Sequence, residues 1–508
     1  MGAFLFVKWA NFGFETMASV LQLPSTTLRA NNLVAGVWEE SNEKKTILSP
    51  YSGKPLGEVS FATEEMQVRA ISSANEAAAK WGATPIKERT TILLKFRELL
   101  LRDLEKVAHY AASEAGKTLA EARAEVLKGV EVLEFACSVQ NLDIGGALEV
   151  SRGVTCEYKR EALGVVVGVT PFNFPAMVPM WMIPIALVLG NSFILKPSDK
   201  VPFTPGLLGV LLAEAGLPPG VFSILHGGRE LVTTLTSDPV VQAVGFVGST
   251  AVARSVYGSA TAHGKRALCL GGAKNHLIVV PDADPSIAVD GVVSSFTGCA
   301  GQRCMAASVL IAVGDVDHVI AKVVSTAGTM RIGLDMGAVI DATSRDRLHA
   351  AIARAEGEGA TVLLDGRNCQ APVGCEGGFW LGPTILDRVA PSMECACTEL
   401  FGPVISIIRV NTLDEALSLD AASPYGNATS VFTTSGSVAR IVSERSRSGM
   451  IGINIGVPVP REPFSFGGTK ESKFGCGDIT GSGGVEFWSS RKKITSKWAV
   501  QSDKNWMS

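Results

Sequence analysis

Five short β-branched runs decide the reading of the fold: GVVVGVT (164–170), SFILKPS (192–198), VFSILHGG (221–228), VQAVGFVGST (241–250) and HLIVVPD (276–282). Helical segments separate them. Strands buried on both faces and joined through helices imply a parallel sheet with right-handed crossovers. Several of the runs end in Gly, Ser, Thr or Pro, and ligands of open α/β sheets bind beyond the carboxyl ends of the strands. Downstream, SVLIAVG (308–314), GATVLLDG (359–366), VISIIRV (404–410) and GMIGINIG (449–456) form a second α/β stretch. Upstream, LSPYSGKPLGEV (48–59) reads as a hairpin, since proline and glycine punctuate two β-prone runs. Residues 64–138 read as mostly helical, with apolar residues three and four apart and Gly116 as a helix stop. The closing GGVEFWSSRKKITSKW (483–498) alternates polar and apolar residues like an exposed strand. It either pairs with another subunit or stands as a charged edge.

The chain has 508 residues, too many for one core, so two or three domains are expected. It is 46% hydrophobic and 19% charged, with a formal net charge of -3, which offers no electrostatic case for nucleic acid or an anionic membrane. Its ten cysteines (137, 156, 269, 299, 304, 369, 375, 395, 397 and 476) form no CxxC pair and sit apart from the six histidines, so no zinc site is expected. Reduced thiols in an intracellular compartment are the simpler reading, and Cys395 and Cys397 read as ordinary loop residues. The uncharged stretch Pro171–Leu195 has the length of a bilayer span, but Pro175, Pro179 and Pro184 interrupt it. A buried helix entered through a proline-rich turn fits better. Residues 1–16 are aromatic, and Met17 opens a segment with no acidic residue before Glu39. Residues 1–32 therefore read as a leader, either a presequence or a disordered lead-in.

Four loops carry candidate chemistry. GQRC (301–304) sets Cys304 beside Arg303, whose charge favours a nucleophilic thiolate. PFNFP (171–175) ends the first strand run and fixes Asn173 in a rigid loop. Its amide either stabilises an oxyanion or caps the following helix. KPSD (196–199) ends the next run with a lysine and a carboxylate suited to nucleotide ribose hydroxyls. GST (248–250) opens a helix whose N–H groups can face a pyrophosphate, although the chain lacks the GxGxxG fingerprint at this point.

Taken in order with ELFGPV (399–404) and PFSFGG (463–468), these motifs resemble the aldehyde dehydrogenase superfamily over roughly residues 33–500. PFNFPAMVPMW, FILKPSDK, GAKNH, GQRCMA, GINIGVPVP, FGCGD and GGVEF are most similar to its methylmalonate-semialdehyde dehydrogenase branch. The resemblance implies an α/β fold with a parallel-sheet NAD-binding domain (33–145 and 165–272), an α/β catalytic domain (273–470) and a small β oligomerisation unit (146–164 and 483–500). It implies Cys304 as nucleophile, with Asn173 and the Cys304 backbone N–H as the oxyanion hole. Lys196 would hold the adenosine ribose with Asp199 beside it, where Asp199 would repel the extra phosphate of NADP. Phe172, Gly248 and Ser249 would lie along the cofactor, and Glu399 and Phe401 at the nicotinamide ribose and ring. Arg303 would grip a substrate carboxylate.

Two departures from that pattern bear on function. Hydrolytic relatives keep a water-activating glutamate in a segment that here reads ALCLGGAKNH (267–276). Aligning on the glycines puts Cys269 there, and counting back from Cys304 puts Leu270 there; neither is a base. A thioacyl-enzyme without such a base persists until a better nucleophile arrives, so coenzyme A is the expected acceptor. A second carboxylate-binding arginine of the branch is replaced by Lys128, which keeps the charge and loses the bidentate fork. Ala253 stands where a glycine is common, crowding the helix near the cofactor.

The resemblance therefore implies NAD-dependent oxidation of methylmalonate or malonate semialdehyde, as in valine catabolism, with loss of carbon dioxide and transfer of a propionyl or acetyl group to coenzyme A. It implies a homo-oligomer, tetramer or dimer, with no metal, nucleic acid or membrane partner, and a mitochondrial location, cytoplasmic otherwise. Two rivals stand: a hydrolytic dehydrogenase of another semialdehyde, and a catalytically idle structural paralogue.

Overall fold

The structure, a computed structural model, describes residues 27–142 and 145–498. The β-branched runs form the expected parallel strands, and they divide between two sheets. In the first, eight strands lie in the order Lys473–Phe474, Arg266–Leu270, Val241–Val247, Val165–Val169, Ser192–Lys196, Phe222–Ile224, Asn32–Val34 and Val37–Glu39. The central five are parallel, and the strands flanking them at both ends run antiparallel. Val165–Val169 and Ser192–Lys196 are buried at every position, which is why their sequences run apolar without alternation.

The second sheet has seven strands, in the order Thr361–Leu364, Thr384–Asp387, Val404–Val410, Ala307–Val313, Asn275–Val279, Ala428–Phe432 and Met450–Ile453. All pair in parallel except Thr361–Leu364 at one edge. A third, antiparallel sheet joins Gly145–Ser151, Val154–Ala162 and Ser489–Lys497.

The helical reading of residues 64–138 holds as four helices, Glu64–Ala83, Ile86–Arg102, Leu104–Ala115 and Leu119–Ser138. Gly116 ends the third with φ 73°, a left-handed conformation that glycine adopts without strain. Thr118 and Glu121 form a reciprocal capping box at the start of the fourth. Lys44–Leu48 and Pro55–Ser60 are the expected hairpin. The stretch that imitates a membrane span becomes the helix Met177–Val188, buried from Val178 onward with Pro184 inside it. Among the described residues no helix is long and apolar enough to cross a membrane.

Three local readings change. Most of the leader, residues 1–26, lies outside the described residues, but Leu28–Ala30 already pairs in parallel with residues 57–59, and Asn32–Val34 joins the first sheet. Leu28, Ala30, Leu33 and Val34 are buried, so apolar burial brings these residues into the fold. Cys395 and Cys397 occupy a helical turn, Glu394–Cys397, with Cys395 buried against the second sheet's core. Finally, 483–498 is only partly a strand. Gly481–Phe487 is helical, and Trp488, fully buried, packs edge-on to Phe193 at 5.8 Å. Anchoring that indole beneath the first sheet overrides the local alternation; the strand begins at Ser489.

Candidate active site

In the first sheet the chain runs outward from Val165–Val169 through Ser192–Lys196 to Phe222–Ile224, then returns to the other side of Val165–Val169 with Val241–Val247. Between those two strands the order reverses, and the crevice beyond their carboxyl ends is where open α/β sheets take ligands. PFNFP leads out of one strand and GST out of the other. Ser249 is the N-cap of Thr250–Ala262 and makes no side-chain cap bond, so no hydroxyl closes the first turn of that helix. Ala253 does not crowd the crevice: its side chain is fully buried in the apolar cluster of Val244, Phe246 and Cys269.

Lys196 ends its strand at 8% exposure, and burial lowers its pKa despite the nearby charge of Asp199. Asp199 accepts from Lys45 Nζ at 2.5 Å. Burial pushes the Asp199 carboxyl up, but the Lys45 bond and charge outweigh it and the net direction is down. Lys45 lies in the hairpin, 154 residues away in sequence, and nothing local marked it. It partly cancels the repulsion expected of Asp199 toward a 2′-phosphate.

His226, at the end of the adjacent strand, is fully buried, and neither ring nitrogen has a hydrogen-bond partner among the described residues. Burial first, and the Lys196 charge second, lower its pKa to about 3. Its folded pKa lies below the unfolded value near 6.5, so the unfolded chain takes the proton first. Stability contributed by neutral His226 is complete above about pH 6.5 and is lost as the pH falls toward 3. Between pH 7 and pH 5 the linkage amounts to on the order of 2 kcal/mol. His226→Gln is expected to show a smaller fall in urea midpoint over that interval than the wild type. An equal fall in both proteins rules this out.

The GQRC loop is built on strained backbone. Cys299, Ala300 and Gly301 carry φ of 52°, 50° and 68°, three successive left-handed residues just ahead of Cys304. A Cβ on Gly301 would lie 2.0 Å from Gly402 O, so the GQRC and ELFGPV loops meet backbone to backbone and require glycine there. The Cys304 carbonyl accepts from Asn275 Nδ2 at 2.7 Å and Asn427 Nδ2 at 2.8 Å, which pins the residue from both sides. Asn173 Nδ2 donates to Gln302 O at 2.9 Å. The following helix has Ala176 as N-cap with no side-chain cap bond, so Asn173 addresses the GQRC loop and does not cap the helix.

Arg303 departs from expectation. Its guanidinium lies over Gly298, donates to Cys299 Sγ at 3.3 Å and pairs with Glu121 at 3.4 Å. Burial pushes the Cys304 thiol up to about 12, with Glu399 adding to the rise; a backbone hydrogen bond and Arg303 oppose it more weakly. The expected thiolate-favouring effect of Arg303 is therefore outweighed, because desolvation of the anion is the larger cost and the arginine is engaged elsewhere.

Glu399 Oε1 accepts from Ala273 N at 3.0 Å, and burial raises its pKa to about 7. Phe401 meets Phe172 edge-on, 5.7 Å between ring centroids. The loops carrying Phe172, Glu399, Phe401 and Cys304 thus come together, as their motifs predict. Lys128 is also paired: its Nζ donates to Glu462 Oε2 at 3.0 Å and Glu131 Oε2 at 3.2 Å. Neither Glu462 nor Glu121 lies in a motif that marks it from sequence. The only sequence signal was that Glu121, Glu125 and Lys128 fall four and three apart, on one helix face.

The strand Arg266–Leu270 resolves the alternative between its last two residues. Leu270 belongs to the apolar cluster that includes Met305 and Phe466 and against which Cys304 packs. Cys269 belongs to the cluster on the other face, with Val244 and Phe246. Successive strand residues point to opposite faces, so Leu270 is the one on the Cys304 side.

Two parallel sheets, a nucleotide-type crevice and a strained cysteine loop define a class, and the comparisons agree with it. The aldehyde dehydrogenase family model matches residues 38–494, and the chain belongs to that family, as an oxidoreductase. More particularly, it is 41% identical over 477 residues to malonate-semialdehyde dehydrogenase 1 of Geobacillus thermodenitrificans, covering 92% of this chain and 98% of the relative. A Dictyostelium discoideum relative, described as a probable acylating, mitochondrial methylmalonate-semialdehyde/malonate-semialdehyde dehydrogenase, is 39% identical, covering 92% of this chain and 90% of the relative. Among solved structures, methylmalonate-semialdehyde dehydrogenase of Oceanimonas doudoroffii superposes with a TM-score of 0.92 at 38% identity, over 94% of this chain and 99% of that one. A Sinorhizobium meliloti structure complexed with NAD gives 0.91 at 37% identity, with the same coverages.

Proposed function

We propose that this chain oxidises methylmalonate or malonate semialdehyde with NAD and transfers the acyl group to coenzyme A. The observation that carries the reading is Leu270, an apolar residue on the Cys304 side of its strand, where a hydrolytic enzyme needs a carboxylate. The crevice residues suit the dinucleotide: Lys196 and Asp199 for the adenosine ribose, Gly248 and Ser249 for the pyrophosphate, and Glu399 with Phe401 and Phe172 for the nicotinamide end. NAD, when bound, accepts the hydride. Cys304 gives up its proton to solvent and adds through the resulting thiolate to the aldehyde carbon, forming a thiohemiacetal that oxidation converts into a thioester. Asn173 and the Cys304 backbone N–H hold the oxygen anion of the tetrahedral adduct. Loss of carbon dioxide from the β-carboxylate leaves a carbanion that takes a proton from solvent, and attack by the coenzyme A thiolate then releases propionyl- or acetyl-CoA and frees the Cys304 thiolate.

Asn173→Ala is expected to lower kcat about 10²–10³-fold if the amide acts as an oxyanion donor. The Asn173–Gln302 bond also steadies the loop, so a fall in thermal stability with unchanged kcat assigns the residue to loop support alone.

The three-stranded antiparallel sheet is the surface by which subunits would associate as a dimer or tetramer. Its outer strand Gly145–Ser151 is exposed throughout and carries Leu148 and Val150 at 68% and 54% exposure. A mitochondrial location is supported by the Dictyostelium relative's name. The test of the function is NADH formation from a panel of semialdehydes with and without coenzyme A. Turnover that needs both a semialdehyde and coenzyme A supports the reading, and coenzyme-independent turnover refutes it.

A further inference from the structure

One face of the helix Leu119–Ser138 touches the loop ahead of Cys304, the entry of the helix Met177–Val188 and the segment that carries Glu462. Glu121 Oε1 accepts from Cys299 N at 2.6 Å and from Arg303 at 3.4 Å. One turn on, Glu125 Oε1 accepts from the backbone N–H groups of Ala176 and Met177, at the entry of the helix Met177–Val188. Two turns on, Lys128 reaches Glu462, four residues ahead of Phe466, whose ring lies 4.6 Å from Trp181 in the cluster that Cys304 contacts. Residues at this spacing stack along one side of a helix.

Lys128 is the cation that the resemblance assigns to a substrate carboxylate, but its charge is already spent. Its side chain is 18% exposed and Glu462 only 8%, so the pair is largely withdrawn from water. Behind it Glu131 bridges Lys128 and Arg461, the latter 66% exposed. The two cations and two carboxylates of this network cancel. A carboxylate arriving at Lys128 finds no unbalanced positive charge; it must displace Glu462 or leave two anions competing for one ammonium. An aldehyde without a carboxylate meets no such competition. Arg303, the other expected anion receptor, is likewise held by Glu121.

We propose that Glu462 is a specificity-determining residue: by occupying Lys128 it weakens the binding of aldehydes that carry a carboxylate and leaves neutral aldehydes unaffected. The inference rests on the proposed reading of the site as a semialdehyde oxidase. Glu462 acts through Lys128 and is a positioning residue, with no contact to the reacting atoms.

The experiment measures kcat and KM for malonate semialdehyde and for propanal, at saturating NAD and coenzyme A, in the wild type, Glu462→Gln, Lys128→Met and the double variant. Releasing one charged hydrogen bond corresponds to roughly a tenfold change in affinity. Glu462→Gln is expected to lower the KM for malonate semialdehyde about tenfold at unchanged kcat, and to leave propanal within about twofold. In the Lys128→Met background the same change should have no effect, since the cation it liberates is gone. An unchanged or raised semialdehyde KM in Glu462→Gln, or equal shifts for both aldehydes, overturns the inference while leaving the semialdehyde reading intact. Semialdehyde oxidation by Glu462→Gln but not by the wild type supports the inference and moves the wild type's own substrate to the neutral class. If neither protein oxidises malonate semialdehyde while propanal still yields NADH, both the inference and the reading are overturned. Should Glu462→Gln not fold, Glu462→Asp, which keeps the charge on a shorter arm, is expected to shift the semialdehyde KM in the same direction by a smaller factor.

Discussion

Cys304→Ala is expected to bind NAD as the wild type does and to release no NADH in a burst, because no thiohemiacetal forms without the thiol. The variant loses covalent catalysis altogether, so its residual rate should lie at the background of the uncatalysed reaction. Of the other cysteines, Cys299 is nearest in sequence. Its fully buried thiol accepts from Arg303 Nε, and its pKa is raised by burial in spite of that arginine. Cys299→Ala should therefore keep the burst. Rapid mixing with excess NAD and aldehyde separates the two variants directly. A Cys304→Ala burst near the wild-type amplitude would falsify the assignment of the nucleophile.

The second large effect concerns the acceptor. Without coenzyme A the wild type should give a single burst of NADH and then slow turnover, since apolar Leu270 stands on the Cys304 side where a hydrolytic enzyme needs its water-activating carboxylate. Such a base is typically worth about 10²–10⁴-fold. Adding coenzyme A should restore steady turnover without altering the burst rate, because oxidation precedes acyl transfer. Leu270→Glu places a carboxyl on the Cys304 face, in a position only 3% exposed, where desolvation raises a carboxyl pKa toward neutrality. It should raise coenzyme-independent hydrolysis, by up to the about 10²–10⁴-fold that such a base supplies. Cys269→Glu directs its carboxyl into the opposite apolar cluster, and the expected result there is lost stability with no gain in hydrolysis. If the unmodified enzyme turns over equally fast with and without coenzyme A, a base lies elsewhere and the hydrolytic reading takes over. Equal hydrolysis in the two glutamate variants would instead show that the strand face does not decide which residue reaches the thioester.

The parallel strands, the helical block and the loops on which chemistry could sit are all legible in the amino-acid sequence. Those signals are local: unbroken β-branched runs report burial on both faces, three-and-four spacing reports a helix, and glycine and proline mark the turns between. Cys304, Asn173 and Glu399 were legible because each lies in a short loop at the end of, or between, such elements. The motifs also resembled one family over most of the chain, and the family model matches residues 38–494.

Which charges meet follows from long-range contacts in the folded chain. Lys45 reaches Asp199 across 154 residues of chain and Lys128 reaches Glu462 across 334, and no periodicity encodes contacts of that separation. Arg303 looked like a partner for Cys304 or for substrate because it is adjacent in sequence. In the folded loop three left-handed residues turn the chain, and the guanidinium finds Glu121 and Cys299 instead. Cys269 and Leu270, neighbours on one strand, point opposite ways, but which face looks toward Cys304 depends on how the strand is seated between its neighbours. The helix Gly481–Phe487 formed where alternation suggested a strand, because burying Trp488 beneath the first sheet outweighs the preference of a few half-exposed residues. Periodicity is a property of neighbours along the chain, whereas ion pairing, face and burial depend on residues that the fold brings in from far away.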